Sequence, residues 1–253
     1  MSDPENPYDQ RPFVARYARS RPRPPTDLFP LLTQMCGRKR PRLVVDLGCG
    51  TGLSTVPWSG IAGRVVGVES NPLMLRRAPR VPGVEYRRSP AQTTGLPTGS
   101  ADIVTCSQSF HWMPRKETIR EVARILRPGA VLAVYDYQLP PLIDPALDPV
   151  FADLLRWSGL PTERTDKATH VTNLTRSGRF RWVRPFCLHY SDTGNAARLL
   201  DLALSIAHVS ARLDGDARSR EPHWRRFSAA ARRTLGQRRR RFWWTFDVVL
   251  AVK

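Results

Sequence analysis

The residues best able to do chemistry fall in four short stretches. The first is Val44-Val45-Asp46-Leu47-Gly48-Cys49-Gly50-Thr51-Gly52, three glycines on alternate positions just after an acid and a short apolar run. A glycine-rich turn following a strand lets a ligand come close to the main chain, at the sheet end where α/β proteins bind their ligands. The dinucleotide pattern G-x-G-x-x-G would need a third glycine at position 53, where Leu53 stands instead. The second stretch ends in Glu69, 21 residues past Gly48. The third is Cys106-Ser107-Gln108-Ser109-Phe110-His111-Trp112, which carries an imidazole between two aromatic rings. The fourth is Asp136-Tyr137, directly after the apolar run Ala130–Tyr135.

The elements that must position these residues follow from hydrophobic patterning. Arg42–Asp46 reads as a buried parallel strand entering the glycine turn. Further strands are expected at Arg64–Glu69, Val84–Arg87, Asp102–Cys106 and Ala130–Tyr135. Helices are expected from about Ser54, over Pro72–Ala78 and over Arg115–Leu126, the last stopped by Arg127-Pro128-Gly129. This alternation predicts βαβ units and an α/β, doubly wound parallel sheet. Ahead of it, helices are expected at Phe13–Ala18 and from Asp27 to about Cys36. Past Leu139 the regularity fails: helical stretches at Pro149–Trp157 and Ala196–Arg212 surround a strand at Phe180–Tyr190. The expected organisation is therefore N-terminal helices and a ligand-binding core in 1–138, a substrate-binding cap with strand six in 139–236, and a closing strand in 237–253.

In that setting Asp46-Leu47-Gly48-Cys49-Gly50-Thr51-Gly52 resembles motif I of the class I S-adenosylmethionine-dependent methyltransferases. Arg88–Pro97 resembles that family's segment after strand three, and Arg124-Ile125-Leu126-Arg127-Pro128-Gly129-Ala130 its R-x-L-x-P-G-G stretch. Residues 43–135 look like a type-11 methyltransferase, with a flavour of the trans-aconitate-methyltransferase-like group that extends to Tyr17–Pro22. The resemblance implies a Rossmann-like, seven-stranded, mostly parallel sheet with a cap inserted after strand five. It also implies S-adenosylmethionine as cofactor and S-adenosylhomocysteine as product. Carried over residue by residue, the cofactor contacts are Asp46, Gly48, Gly50 and Gly52 in the loop, Glu69 and Ser70 at the ribose, Ala91 and Gln92 at the adenine, and Ser107 past strand four. Tyr17 and Arg21 would meet the methionine carboxylate or an acidic substrate. Gln92 departs from the family, which usually has an acid there; a neutral hydrogen bond replaces a charge-assisted one at a cost of about 1 kcal/mol.

Methyl transfer from a sulfonium is an in-line displacement whose leaving group needs no proton. Alignment in a dry site is the main requirement, and a base is needed only for an acceptor that arrives protonated. His111 is the candidate base, against the commoner role of a wall residue packed beside Phe110 and Trp112. Candidate substrate contacts are His111, Trp112, Tyr137, Trp157 and His208, with Asp136 and His189 as neighbours. No histidine or cysteine has metal-ligand spacing, so no metal is expected.

Composition sets the outer limits. The 253 residues are 41% hydrophobic and 25% charged, enough for a sizeable core, and no apolar run reaches the length of a membrane span. Met1–Gln10 is acidic and does not read as a signal peptide, so a cytoplasmic protein with reduced thiols and no membrane partner is expected. Forty basic residues against 22 acidic give a net charge of +18, which would suit nucleic acid. The charge is spread along the chain, however, and is almost all arginine, a bias that GC-rich coding also produces. Arg238–Arg241 before Phe242-Trp243-Trp244 is the one basic cluster beside aromatics, and alternate burial in a strand explains those rings as well as RNA stacking does. The expected function is methyl transfer to a small molecule, such as a bacterial secondary metabolite or a carboxylic acid, with no nucleic-acid partner. An RNA methyltransferase and a non-catalytic cofactor-binding scaffold are the alternatives.

Overall fold

A computed structural model describes residues 7–160, 165–213 and 220–253. In chain order its main elements are α1 (Arg11–Ser20), α2 (Leu28–Met35), β1 (Leu43–Leu47), β2 (Arg64–Glu69), α3 (Pro72–Leu75), β3 (Val84–Arg88), β4 (Ala101–Ser107), α4 (Arg115–Ile125) and β5 (Leu126–Tyr137). There follow α5 (Asp148–Trp157), α6 (Thr165–Arg176), β6 (Trp182–Gly194), α7 (Ala196–Leu204), α8 (Ala207–Arg212), α9 (Pro222–Thr234) and β7 (Arg240–Val252). The chain forms two compact units.

The larger unit comprises residues 23–137, 165–188 and 246–253. The seven strands run in the order β3-β2-β1-β4-β5-β7-β6. Strands β1 to β5 pair in parallel, and β7 returns antiparallel to β5, with Val131 opposite Val252 and Tyr137 opposite Phe246. This is the Rossmann-like sheet that the alternation of elements predicts, with additional chain inserted after β5. A parallel strand covered on both faces has no solvent side, so β1 is Leu-Val-Val-Asp-Leu and every one of its residues is buried. The core joins Val45, Val66, Val104 and Leu132 from four neighbouring strands to Ile119 and Val122 of α4 and Leu174 of α6.

One expectation fails here for visible reasons. No α-helix forms from Ser54; the segment makes only a short 3-10 turn at Val56–Trp58. The Ser54 and Thr55 hydroxyls are committed to Asp46, Pro57 offers no backbone N–H, and Gly60 at φ +81° ends the turn. Trp58 is fully buried there, edge-on to Phe29 at 4.9 Å. Helix α6 is an element that the sequence reading did not foresee.

The smaller unit comprises residues 1–22, 138–164 and 189–245. Its helices α1 and α7 are joined by Arg19 on Asp201 at 2.6 Å and by Arg198 Nε donating to the Ser20 carbonyl at 3.1 Å. Phe151 of α5 stacks on Phe227 of α9 at 4.7 Å. The single helix expected over Ala196–Arg212 is broken between α7 and α8, where Ser205 Oγ turns back to the Leu202 carbonyl and Ile206 is extended. In β7, Phe242 and Trp244 are buried while Trp243 is half exposed beneath Arg241, so these rings pack inside rather than forming a row of stacking faces.

Candidate cofactor and acceptor site

The turn after β1 is shaped from below by Asp46. Its Oδ2 accepts the hydroxyls of Ser54 at 2.7 Å and Thr55 at 2.6 Å, and its Oδ1 accepts Thr105 at 2.8 Å. Removal from water pushes the Asp46 carboxyl above its ordinary range, and the three hydroxyls offset part of that rise. The resemblance makes Asp46 a cofactor contact; in the structure its side chain is fully buried and ties the loop's exit to β4. Gly48 takes φ +65°, and a Cβ there would lie 2.5 Å from Ser109 Cβ. Gly52 takes φ +82°, and its Cβ would lie 2.6 Å from Tyr86 Oη. Conformation and packing thus both require glycine.

Glu69 closes the turn from the side. Its Oε2 accepts the Gly50 N–H at 3.0 Å and its Oε1 the Asn71 N–H at 2.8 Å. A carboxylate offers about four lone-pair sites, so each oxygen keeps acceptor capacity for a diol. Asn71 caps the one turn of α3 by accepting the N–H groups of Leu73 and Met74. Ser70 is exposed next to Glu69 and Gln92 is half-buried, whereas the Ala91 side chain packs into the core, leaving Ala91 only its backbone for a ligand.

At the end of β4, Ser107 is half-buried and Gln108 is held at φ +53° by donating its N–H to the Tyr135 carbonyl. A left-handed non-glycine residue costs about 1 kcal/mol and tends to occur at functional sites. Ser109 Oγ donates to the Leu47 carbonyl at 2.8 Å, joining this turn to the glycine loop. Next comes a cluster that sequence reasoning only half found. His111 Nδ1 lies 3.8 Å from one oxygen of Asp136, and His170 Nε2 lies 3.8 Å from the other. A carboxylate thus stands between two imidazoles at the carboxyl ends of β4 and β5. His170 is 1% exposed and edge-on to Phe110 at 5.1 Å. It lies on α6, which the sequence analysis does not expect; its spacing of four from the core residue Leu174 is the signal the sequence offers.

The remaining predicted residues are placed as follows. Trp112 is exposed beside His111, and Tyr137 is buried edge-on to Phe246. In the smaller unit, Arg21 donates from Nε to Ser205 Oγ at 2.8 Å and from a terminal nitrogen to the Ser205 carbonyl, and it lies over the Tyr17 ring. Arg21 therefore has a structural duty that the sequence reading did not assign. Trp157 stacks on His223 at 5.4 Å with Arg212 over its ring, His189 meets Thr245 Oγ1, and His208 is exposed.

A polar ligand fits the larger unit's loop residues. Thr51 Oγ1, Tyr86 Oη and Gln108 Nε2 are all shut from solvent with no hydrogen-bond partner among the described residues, beside a carboxylate with spare acceptor sites. Burial pushes the Tyr86 phenol up to about 12, with Cys49 and Asp46 adding to it, so this hydroxyl stays a neutral donor. Among the described residues no group of three or more His, Cys, Asp or Glu is arranged to hold a metal ion, and no helix is long and apolar enough to cross a membrane.

The sheet order and glycine turn define the class I S-adenosylmethionine-dependent methyltransferase fold. Comparison with known proteins agrees: residues 45–134 match the methyltransferase domain family. A candidate methyltransferase of Dictyostelium discoideum is 32% identical over 123 residues, 49% of this chain and 46% of that protein. A trans-aconitate 2-methyltransferase of Azoarcus is 39% identical over 97 residues, 36% of this chain and 37% of that protein. The matched region is thus about half, or less, of the length of these curated relatives. Among solved structures, a candidate type II methyltransferase of Anaeromyxobacter dehalogenans superposes with a TM-score of 0.70 at 26% identity, covering 92% of this chain and 97% of that one. Residues 45–134 therefore carry a methyltransferase domain of the class I S-adenosylmethionine-dependent superfamily.

Proposed function

We propose that the protein transfers a methyl group from S-adenosylmethionine to a small-molecule acceptor. The observation that carries this reading is the Glu69 carboxylate bonded to Gly50 inside a loop whose neighbours leave Thr51, Tyr86 and Gln108 unsatisfied. When bound, S-adenosylmethionine supplies an electrophilic methyl group. Glu69 would hold the ribose hydroxyls, the Gly48–Gly52 main chain would line the methionine end, and Gln92 would accept from the adenine amine. In this reading His111 would be the base that takes the acceptor's proton. Asp136 is positioned to accept the Nδ1 proton of His111 once the pair closes, which would set the tautomer in which Nε2 is the basic nitrogen. At 3.8 Å the pair lies beyond hydrogen-bond length, and such contacts often tighten only when substrate is present. His170, on the other oxygen, is a positioning residue.

This cluster favours an acceptor that arrives protonated, such as a hydroxyl or an amine. The similarity to a trans-aconitate 2-methyltransferase supports a second reading, a carboxylate acceptor, for which no base is needed. Calorimetric titration with S-adenosylhomocysteine, followed by turnover of labelled S-adenosylmethionine on panels of hydroxylated, amino and carboxylic acceptors, tests both. A well-folded protein that does not bind S-adenosylhomocysteine would overturn the proposal.

A further inference from the structure

We propose that a cleft between the first turns of α4 and the end of α6 is a binding site for a small anion carrying several phosphate charges. The cleft has a volume of about 520 Å³ and shares no lining residue with the glycine loop or the His111–Asp136–His170 cluster. Arg115, Lys116, Arg120, Arg176 and Arg179 line it, and no acid does. A net charge of +18 leaves many arginines unpaired across the chain. What sets these five apart is their convergence on one concavity.

Their own surroundings do not explain them. None of the five forms an ion pair among the described residues, whereas in the same unit Arg38 and Arg127 pair with Asp102, Arg64 with Glu85 and Arg124 with Glu121. Arg115 and Lys116 occupy the first turn of α4, where the helix dipole disfavours cations; Glu117, the acid of that turn, does not line the cleft. Arg115 Nε is shut from solvent and has no acceptor among the described residues. An anion in the cleft would offset the unfavourable placement of Arg115 and Lys116 at the positive end of the helix dipole.

The lining also specifies the ligand's chemistry. Four guanidinium forks match phosphate oxygens in pairs, and five cations call for several negative charges close together. The volume suits a small molecule. Single-stranded nucleic acid is gripped by stacking aromatic rings, and the lining here has none, its one apolar residue being Ile119. Ile119 is 4% exposed and anchored in the core, so one wall is rigid before any ligand arrives.

Calorimetric titration of the full chain with inorganic tripolyphosphate, in about 0.1 M salt so that diffuse attraction is screened, tests the proposal. One site per chain is expected. Affinity should fall at least about tenfold in Arg120→Ser/Arg176→Ser, while Arg232→Ser/Arg233→Ser on α9, which removes the same charge, changes it by less than about twofold. Citrate, with its charge on carboxylates, should bind more weakly. Equal losses in the two double variants would show that net charge alone is responsible and would overturn the site. So would tighter binding of a single-stranded oligonucleotide that depends on Arg120 and Arg176, since the cleft would then hold a polymer. Should the first double variant lose its thermal transition, Arg176→Glu alone, at an exposed position, provides the same comparison.

Discussion

The carboxylate of Glu69 accepts the backbone N–H of Gly50 at 3.0 Å, so the acid that ends β2 is also a strut of the loop that follows β1. Glu69→Ala therefore removes a ligand acceptor and a loop support together, and S-adenosylhomocysteine affinity should fall about 100-fold. Glu69→Gln keeps one acceptor oxygen and should lose less. Calorimetry on the two variants measures the difference; equal affinity in Glu69→Ala and the parent would remove Glu69 from the site.

Gly48→Ala brings a methyl group to within 2.5 Å of Ser109 Cβ at a residue with φ +65°. Overpacking and backbone strain both apply, giving an expected destabilisation of about 2–3 kcal/mol. A lower midpoint in urea with an unchanged slope would show it. Gly83→Ala, also at positive φ but with open space around it, should cost less.

Asp102 gathers the starts of three strands. It accepts the N–H groups of Arg42 at 2.6 Å and Leu43 at 3.3 Å and pairs with Arg38 and Arg127. Burial alone would raise its carboxyl; Arg127 and the two backbone donors outweigh that and hold it below the usual range. A depressed folded value contributes stability above the unfolded value, about 3.9, and loses it as pH falls through the folded value. Asp102→Asn should cost about 3 kcal/mol at neutral pH, because the neighbouring charges lose their partner. Denaturation of both proteins across pH should show the gap narrowing below about pH 4.

The His111–Asp136–His170 cluster separates the two acceptor readings. With a hydroxyl or amine acceptor, His111→Ala should lower kcat by 10²-fold or more, as removal of a general base does. His170→Phe should lower kcat by about tenfold through a misoriented Asp136, with the KM for cofactor unchanged. With a carboxylate acceptor, His111→Ala should leave kcat within a few-fold of the parent.

Much of the geometry of the glycine turn was legible in the sequence because it depends on local order. A strand, a turn at positive φ and a second strand ending in an acid are dictated by residue type over short spans, and Asp46 to Glu69 is such a span. Continuous apolar runs placed β1, β2 and β4, and alternation placed the buried rings Phe242 and Trp244 of β7. The cluster of His111, Asp136 and His170 was not legible in this way. His170 reaches Asp136 only because α6 packs onto the sheet, and nothing in the intervening sequence links 136 to 170. Tertiary structure likewise turned Asp46 inward, since three hydroxyls from Ser54, Thr55 and Thr105 converge there only after β4 pairs with β1. The helix expected from Ser54 is replaced by a short turn through both kinds of cause: Pro57 and Gly60 locally, and the bonds of Ser54 and Thr55 to that same carboxylate. Short-range stereochemistry determined the loop; long-range packing decided which polar side chains meet, because contacts between distant segments exist only once the sheet has assembled.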